Sequence, residues 1–337
     1  MKTPLKYLLI VIMVGFPLLS FVFPQPANAS SPHEKKQIAK ASSLLKNTTF
    51  QKSQAALKIF RKILKENPRS IPAHMGIVYV CLYQYNTAKK KNRSLLSKGI
   101  KHADIVLGYN PKFADAYKKK SYLQFYQGHQ EQAITTIKIG MHQIPKAKEL
   151  VKTYLTLLIK TEKIPEAEKI CHTRKVPSKD SAPLYLDLGQ IWLDAGFPGQ
   201  ARLCFSRSLS AKETSEAWAA TASSFVMEKN WQKAIWFYEW ALKTDPTYYD
   251  LYYDLAACHN QLGHKKKAIV WLVPYTKIFS DDIRALMELA VLYEEVGDIT
   301  RARLTWMKVK SRAKTADQKK VALSRIKKLK RKRRSAK

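Results

Sequence analysis

Acidic side chains are scarce in this sequence. Only 26 aspartates and glutamates stand against 60 lysines and arginines, giving a formal charge of +34. An imbalance of that size points to anionic counterparts for part of the surface. Glycine is sparse too, with 11 residues, and none form a phosphate-cradling loop motif. The 4 cysteines and 8 histidines show no metal-ligand spacing, which excludes the common zinc sites. Neither H-E-x-x-H nor G-x-S-x-G occurs. S-x-x-K appears at Ser43–Lys46 and Ser324–Lys327, among other places, without companion motifs, and chance accounts for it. The chain therefore reads as non-catalytic, with no cofactor and no metal.

Long apolar runs are missing as well, with one exception at the start. Lys2 and Lys6 precede an uncharged stretch from Tyr7 to Phe23. Pro24, Gln25, Pro26 and the triplet Ala27-Asn28-Ala29 follow it. A positive start, a short apolar run and an A-x-A site together predict a secretory signal over 1–29, cleaved after Ala29. The alternative is an uncleaved N-terminal anchor, although Gly15 and Pro17 weaken the run as a spanning helix. No cysteine follows the run to carry a bacterial lipid anchor. Export to a periplasm or cell envelope is the expectation. The sequons Asn47-Thr48-Thr49 and Asn92-Arg93-Ser94 keep a eukaryotic secretory reading open.

The rest of the chain is organised by a period of about 34 residues. From Ser215 the series is Trp218, Ala222, Phe225, Ala234, Tyr238 and Ala241. One period later come Tyr252, Ala256, His259, Ala268, Leu272 and Tyr275, and after another Leu286, Ala290, Tyr293, Ala302, Trp306 and Val309. Within a unit the large residues share one helical face, spaced by three and four. The eighth place is small (Gly189, Ala222, Ala256, Ala290), so a second helix can approach closely. The twentieth place is alanine at 56, 133, 167, 201, 234, 268 and 302, and does the same from the second helix. Gly128, Gly196, Gly263 and Gly297 mark the turn between the two helices. Pro68, Pro111, Pro145 and Pro246 close second helices. A unit this small cannot bury a core alone, so neighbours must stack.

These residues resemble the tetratricopeptide repeat (TPR) family. The resemblance implies an all-α superhelical solenoid of helix-turn-helix units, preceded by a linker at 30–36. Eight units fit, at 37–70, 71–113, 114–147, 148–181, 182–214, 215–248, 249–282 and 283–316. A capping helix over 317–330, with Val321, Leu323, Ile326 and Leu329 apolar, covers the end of the stack, and a basic tail fills 331–337. The unit at 71–113 is overlong, and its surplus is assigned to an extended loop, Asn86–Arg93. Pro274 falls inside a second helix and is expected to bend or shorten it. The four cysteines, Cys81, Cys171, Cys204 and Cys258, sit on expected helices and read as buried free thiols. A Cys171–Cys204 bridge is the alternative; it requires Cα atoms within about 7 Å, closer than helices normally pack.

In this family ligands usually lie along the concave face, lined by first helices. The resemblance carries that role to Tyr79, Tyr83, Lys118, Tyr122, Phe125, Tyr126, Lys152 and Lys160. Aromatics supply rigid contact area and lysines supply charge for an acidic peptide. Ordinary packing between helices would also use such tyrosines. The full Lys/Asn set of the family's carboxylate-clamp members is not reproduced. On the outer, convex side the twenty-second place is Lys58, Lys101, Thr135 and Lys169 in the first four units. It becomes Leu203, Trp236, Val270 and Leu304 in the last four, with Trp240 one turn beyond Trp236. That apolar stripe reads as a site for a protein partner or self-association, unless curvature tucks it against neighbouring helices.

Charge is unevenly spread. Residues 37–147 carry 20 basic and 4 acidic residues, whereas 182–282 carry 10 and 11. Residues 319–337 hold 11 basic residues and no acidic one, among them Lys327, Lys328, Lys330, Arg331, Lys332, Arg333 and Arg334. Behind an export signal such an end fits anionic lipid headgroups, an acidic cell-wall polymer or an acidic partner, and otherwise a solubilising end. The leading expectation is a scaffold for protein–protein interactions in the bacterial periplasm or cell envelope. The alternative is a polyanion- or nucleic-acid-binding helical repeat using the basic N-terminal half and tail. Nucleic acid is not expected as the partner of an exported chain.

Overall fold

The computed structural model describes residues 31–46, 49–88, 92–172 and 179–335. The expected signal segment 1–29, most of the sequon at Asn47, part of the loop expected at 86–93 and the side chains of Lys332, Arg333 and Arg334 lie outside the described residues. Regular structure among the described residues is entirely helical. The chain divides into two compact units, 1–172 and 173–337.

The first unit contains four helix pairs: α1 (Pro32–Lys46) with α2 (Phe50–Glu66), α3 (Ile71–Thr87) with α4 (Arg93–Tyr109), α5 (Ala114–Gln127) with α6 (Gln130–Gln143), and α7 (Lys148–Lys160) with α8 (Ile164–His172). The second opens with a 3-10 turn, Lys179–Ser181. Its pairs are α9 (Ala182–Asp194) with α10 (Pro198–Ala211), α11 (Ser215–Met227) with α12 (Trp231–Thr244), α13 (Leu251–Gln261) with α14 (Lys265–Ile278), and α15 (Ile283–Glu295) with α16 (Ile299–Arg312). A last helix, α17 (Ala316–Ser335), follows.

The small residues act as the periodicity requires. Every twentieth-place alanine is fully buried, at 0% exposure. At Gly189 an added Cβ would sit 2.3 Å from the ring of Phe205, so glycine is what lets α9 and α10 meet. Side chains cap the start of some second helices. Asn230 accepts from the Lys233 amide at 3.3 Å, and Asp298 from the Arg301 amide at 2.8 Å. The turns between paired helices need a left-handed residue. Glycine supplies it at Gly128, Gly196, Gly263 and Gly297, and Glu162 and Lys229 adopt the same conformation without glycine's freedom.

Several local expectations need correction. Helix α1 begins at Pro32 and takes in most of the segment expected as linker. Ser31 accepts the Glu34 amide and caps it, and proline suits the first helical position. The surplus of the second repeat goes largely into helix: α3 and α4 each run to 17 residues. Pro274 does not shorten α14, which keeps 14 residues like α12 and α16. Proline deprives the Val270 carbonyl of its partner, but Val270 faces water, which substitutes. Helix α17 continues past 330 to Ser335, through the run expected as a separate tail. Its buried stripe is Ala322, Ile326 and Leu329, whereas Val321 and Leu323 point outward. The spacing of four and three selects Ala322 over its larger neighbours.

The cysteines divide. Cys81 and Cys258 are buried free thiols, while Cys171 and Cys204 are disulfide-bonded. Cys171 sits in the last turn of α8, which is only 9 residues long.

Candidate functional site

The first helices α3, α5 and α7 of the first unit carry the groove residues named above. Together they hold 6 lysines and 2 carboxylates. The two carboxylates, Asp115 and Glu149, occupy the second place of their repeats and organise the lysines around them.

Asp115 accepts a hydrogen bond from the Tyr79 hydroxyl, which comes from the preceding first helix. Lys119 lies 4.0 Å from the same carboxylate, with its ammonium 4.9 Å from the centre of the Tyr79 ring. Both Tyr79 and Lys119 are buried. Burial pushes the Tyr79 phenol up, and the Asp115 charge adds to it. Burial holds the Lys119 ammonium below its ordinary value, with Asp115 acting in the other direction. Tyr79, one of the residues expected to line the groove, is buried.

One repeat further on, Glu149 bridges two of the expected lysines. Lys152 contacts it at 2.5 Å and Lys118 at 3.5 Å. Although burial opposes it, these two ammonium groups hold the Glu149 carboxyl below the usual carboxylate range. Tyr122 lies between the two clusters. Its phenol is pushed up to about 12, first by burial, and feels the charge of both Glu149 and Asp115. Tyr126 packs on Tyr85 at 5.5 Å between ring centres and on Phe125 at 6.0 Å. The Lys160 ammonium stands 6.0 Å from the Phe125 ring. Tyr83 is half-buried on α3.

Tyr79, Lys118, Tyr122 and Lys152 thus come together through Asp115 and Glu149, with Phe125, Tyr126 and Lys160 in a second group. Asp115, Lys119 and Glu149 are the residues that sequence reasoning missed. The signal for the two carboxylates is their position, since each is the second residue of its repeat. The arrangement sets aromatic rings beside cations, and two carboxylates pair with those cations. Such a surface can bind an acidic segment; it holds no activated nucleophile or paired acid and base.

The remaining named residues lie in the second unit. Trp236, Val270 and Leu304 are exposed, while Leu203 and Trp240 are half-buried. Lys327, Lys328, Lys330 and Arg331 are exposed on α17.

A family model described as tetratricopeptide repeat matches residues 225–287. Among solved structures, the C-terminal part of a TPR repeat-containing protein from Cytophaga hutchinsonii aligns with a TM-score of 0.50 and 14% identity, covering 73% of this chain and 99% of that one. Yeast Tom70 aligns with a TM-score of 0.49 and 12% identity, covering 93% and 67%. A tetratricopeptide repeat protein from Parabacteroides merdae gives 0.40 and 13%, covering 88% and 99%. No curated protein matches the chain. With paired helices on a period of about 34 residues, alanines buried at the twentieth place and a family match over residues 225–287, the chain has the paired-helix repeat fold of tetratricopeptide repeat proteins.

Proposed function

We propose that the chain is an exported, non-catalytic scaffold of a periplasm or cell envelope, and that α3, α5 and α7 hold an acidic segment of a protein partner. The observation that carries this reading is the Lys118–Glu149–Lys152 bridge beside Tyr122. An incoming carboxylate can take the place of Glu149 between the two lysines, while the aromatic rings receive the flanking apolar groups. The disulfide-bonded state of Cys171 and Cys204 supports export, because such bonds persist in oxidising compartments.

The test is crosslinking in intact cells, identification of the attached protein, and titration of that protein against variants. Lys118→Ala with Lys152→Ala should weaken the complex by at least tenfold, a loss of about 1.4 kcal/mol. Glu149→Gln should strengthen it, because the lysines lose their internal competitor. If Glu149→Gln weakens binding as much as the lysine changes do, the bridge is structural and the acidic-ligand reading fails. Export has its own check in a mass spectrum of the native protein. The first residue should be Ser30, two thiols should alkylate after unfolding, and two more should alkylate only after reduction. A chain beginning at Met1 with every thiol free would place it in a reducing compartment.

A further inference from the structure

The charges of the second unit separate by helix. The first helices α11, α13 and α15 carry 1 basic and 5 acidic residues, whereas the second helices α12, α14 and α16 carry 11 basic and 1 acidic. The same second helices expose large apolar side chains: Trp236 is 50% exposed, Val270 68% and Leu304 49%. These three positions are equivalent, one period apart, so they recur on one face of successive repeats. Lys233 and Lys267 precede Trp236 and Val270 by one turn, and Lys243 and Lys277 follow by two; all four are exposed.

Trp236 also packs against neighbouring rings. Its ring meets Phe237 edge-on at 4.7 Å between centres and Trp218 edge-on at 6.4 Å. Trp240 stacks on Trp218 at 5.9 Å, with the Lys243 ammonium 4.3 Å from its own ring centre. An exposed tryptophan beside lysines suits the boundary between headgroups and acyl chains, where the indole sits at headgroup depth and ammonium groups meet phosphates. Helix α17, packed on α16 through Ala322 and Leu329, adds exposed Val321 and Leu323 to a strongly basic sequence.

We infer that the second-helix face of repeats six to eight docks on an anionic lipid surface, with Trp236, Val270 and Leu304 entering the interface and the surrounding lysines binding phosphates. The same chemistry is presented three times at a fixed interval, which suits a uniform anionic sheet better than the mixed surface of one folded protein. A second copy presenting this same face is disfavoured, since like charges would meet. The inference is independent of the groove on α3, α5 and α7, and either can fail alone.

The test is co-sedimentation of the mature chain with vesicles of phosphatidylglycerol and phosphatidylcholine in equal parts, beside vesicles of phosphatidylcholine alone. Binding is expected to the mixed vesicles only, with a blue shift of tryptophan emission. Serine at Trp236, Val270 and Leu304 together should lower partitioning about a hundredfold, given half-buried gains at each site. Glutamine at Lys233, Lys267 and Lys277 should lower it roughly fivefold per lysine. All are exposed positions, and unchanged circular dichroism confirms that the variants fold. Absence of binding to the mixed vesicles overturns the inference. So does unchanged partitioning of the serine variant with loss on glutamine substitution of Lys327, Lys328, Lys330 and Arg331, which would make α17 the sole contact. A concentration-dependent dimer that the serine variant abolishes, with partitioning unaffected, would instead assign the face to a second copy.

Discussion

Asparagine in place of Asp254 raises the stability of the folded chain at neutral pH by about 2 kcal/mol. Asp254 lies on α13, where burial pushes its carboxyl up to about 6 and the nearby Asp250 adds to the rise. In the unfolded chain the group titrates near 3.8. Between those values the folded state keeps a proton that the unfolded state has released, so stability falls as pH rises from about 4 to 6 and stays lower above. The asparagine variant lacks this fall. Denaturation midpoints of the two proteins should coincide below about pH 4 and separate through the window, with the variant higher at neutral pH. Parallel profiles across the whole range would show that Asp254 is solvated rather than desolvated. The neighbourhood gives a second readout. Tyr238 has its phenol raised by burial and then by the Asp254 charge, so removing that charge should lower its titration.

Alanine at Gly189 is expected to make the protein less stable by about 1 kcal/mol, although alanine is the better helix former. Two effects of opposite sign compete. Helix propensity favours alanine by roughly 1 kcal/mol in a helix interior. Against it stands the ring of Phe205, three of whose atoms would lie within 3.0 Å of the new methyl group. Phe205 is fully buried, so its ring has no free direction in which to move. Overpacking of this kind costs about 1–3 kcal/mol before any backbone shift. Gly108 is the control. It lies in α4, where a methyl group added at its Cα would meet nothing within 4 Å, so its alanine variant feels propensity alone and gains stability. If chemical denaturation shows both variants moving in the same direction, close approach at Gly189 does not govern the pairing of α9 and α10.

Pairing of helices was legible in the sequence because it rests on residue size at fixed intervals. Ala234, Ala268 and Ala302 recur at one period, and each ends fully buried for the reason the spacing gives. The positive-φ turns at Gly196, Gly263 and Gly297 were legible on the same ground. Lys229 and Glu162 hold the same backbone conformation, but without glycine they left no signal. Partnership across helices was not legible. Lys118, Lys152 and Glu149 read as two cations and an unremarked acid until the fold placed one carboxylate between the two ammonium groups. The hydrogen bond from the Tyr79 hydroxyl to Asp115, 36 positions away, was equally invisible. The sequence alone determined which faces pack, because packing follows from periodicity within one helix. Only the tertiary structure decided which charges neutralise one another and which aromatics stay exposed, because those depend on distances between helices that local pattern does not encode.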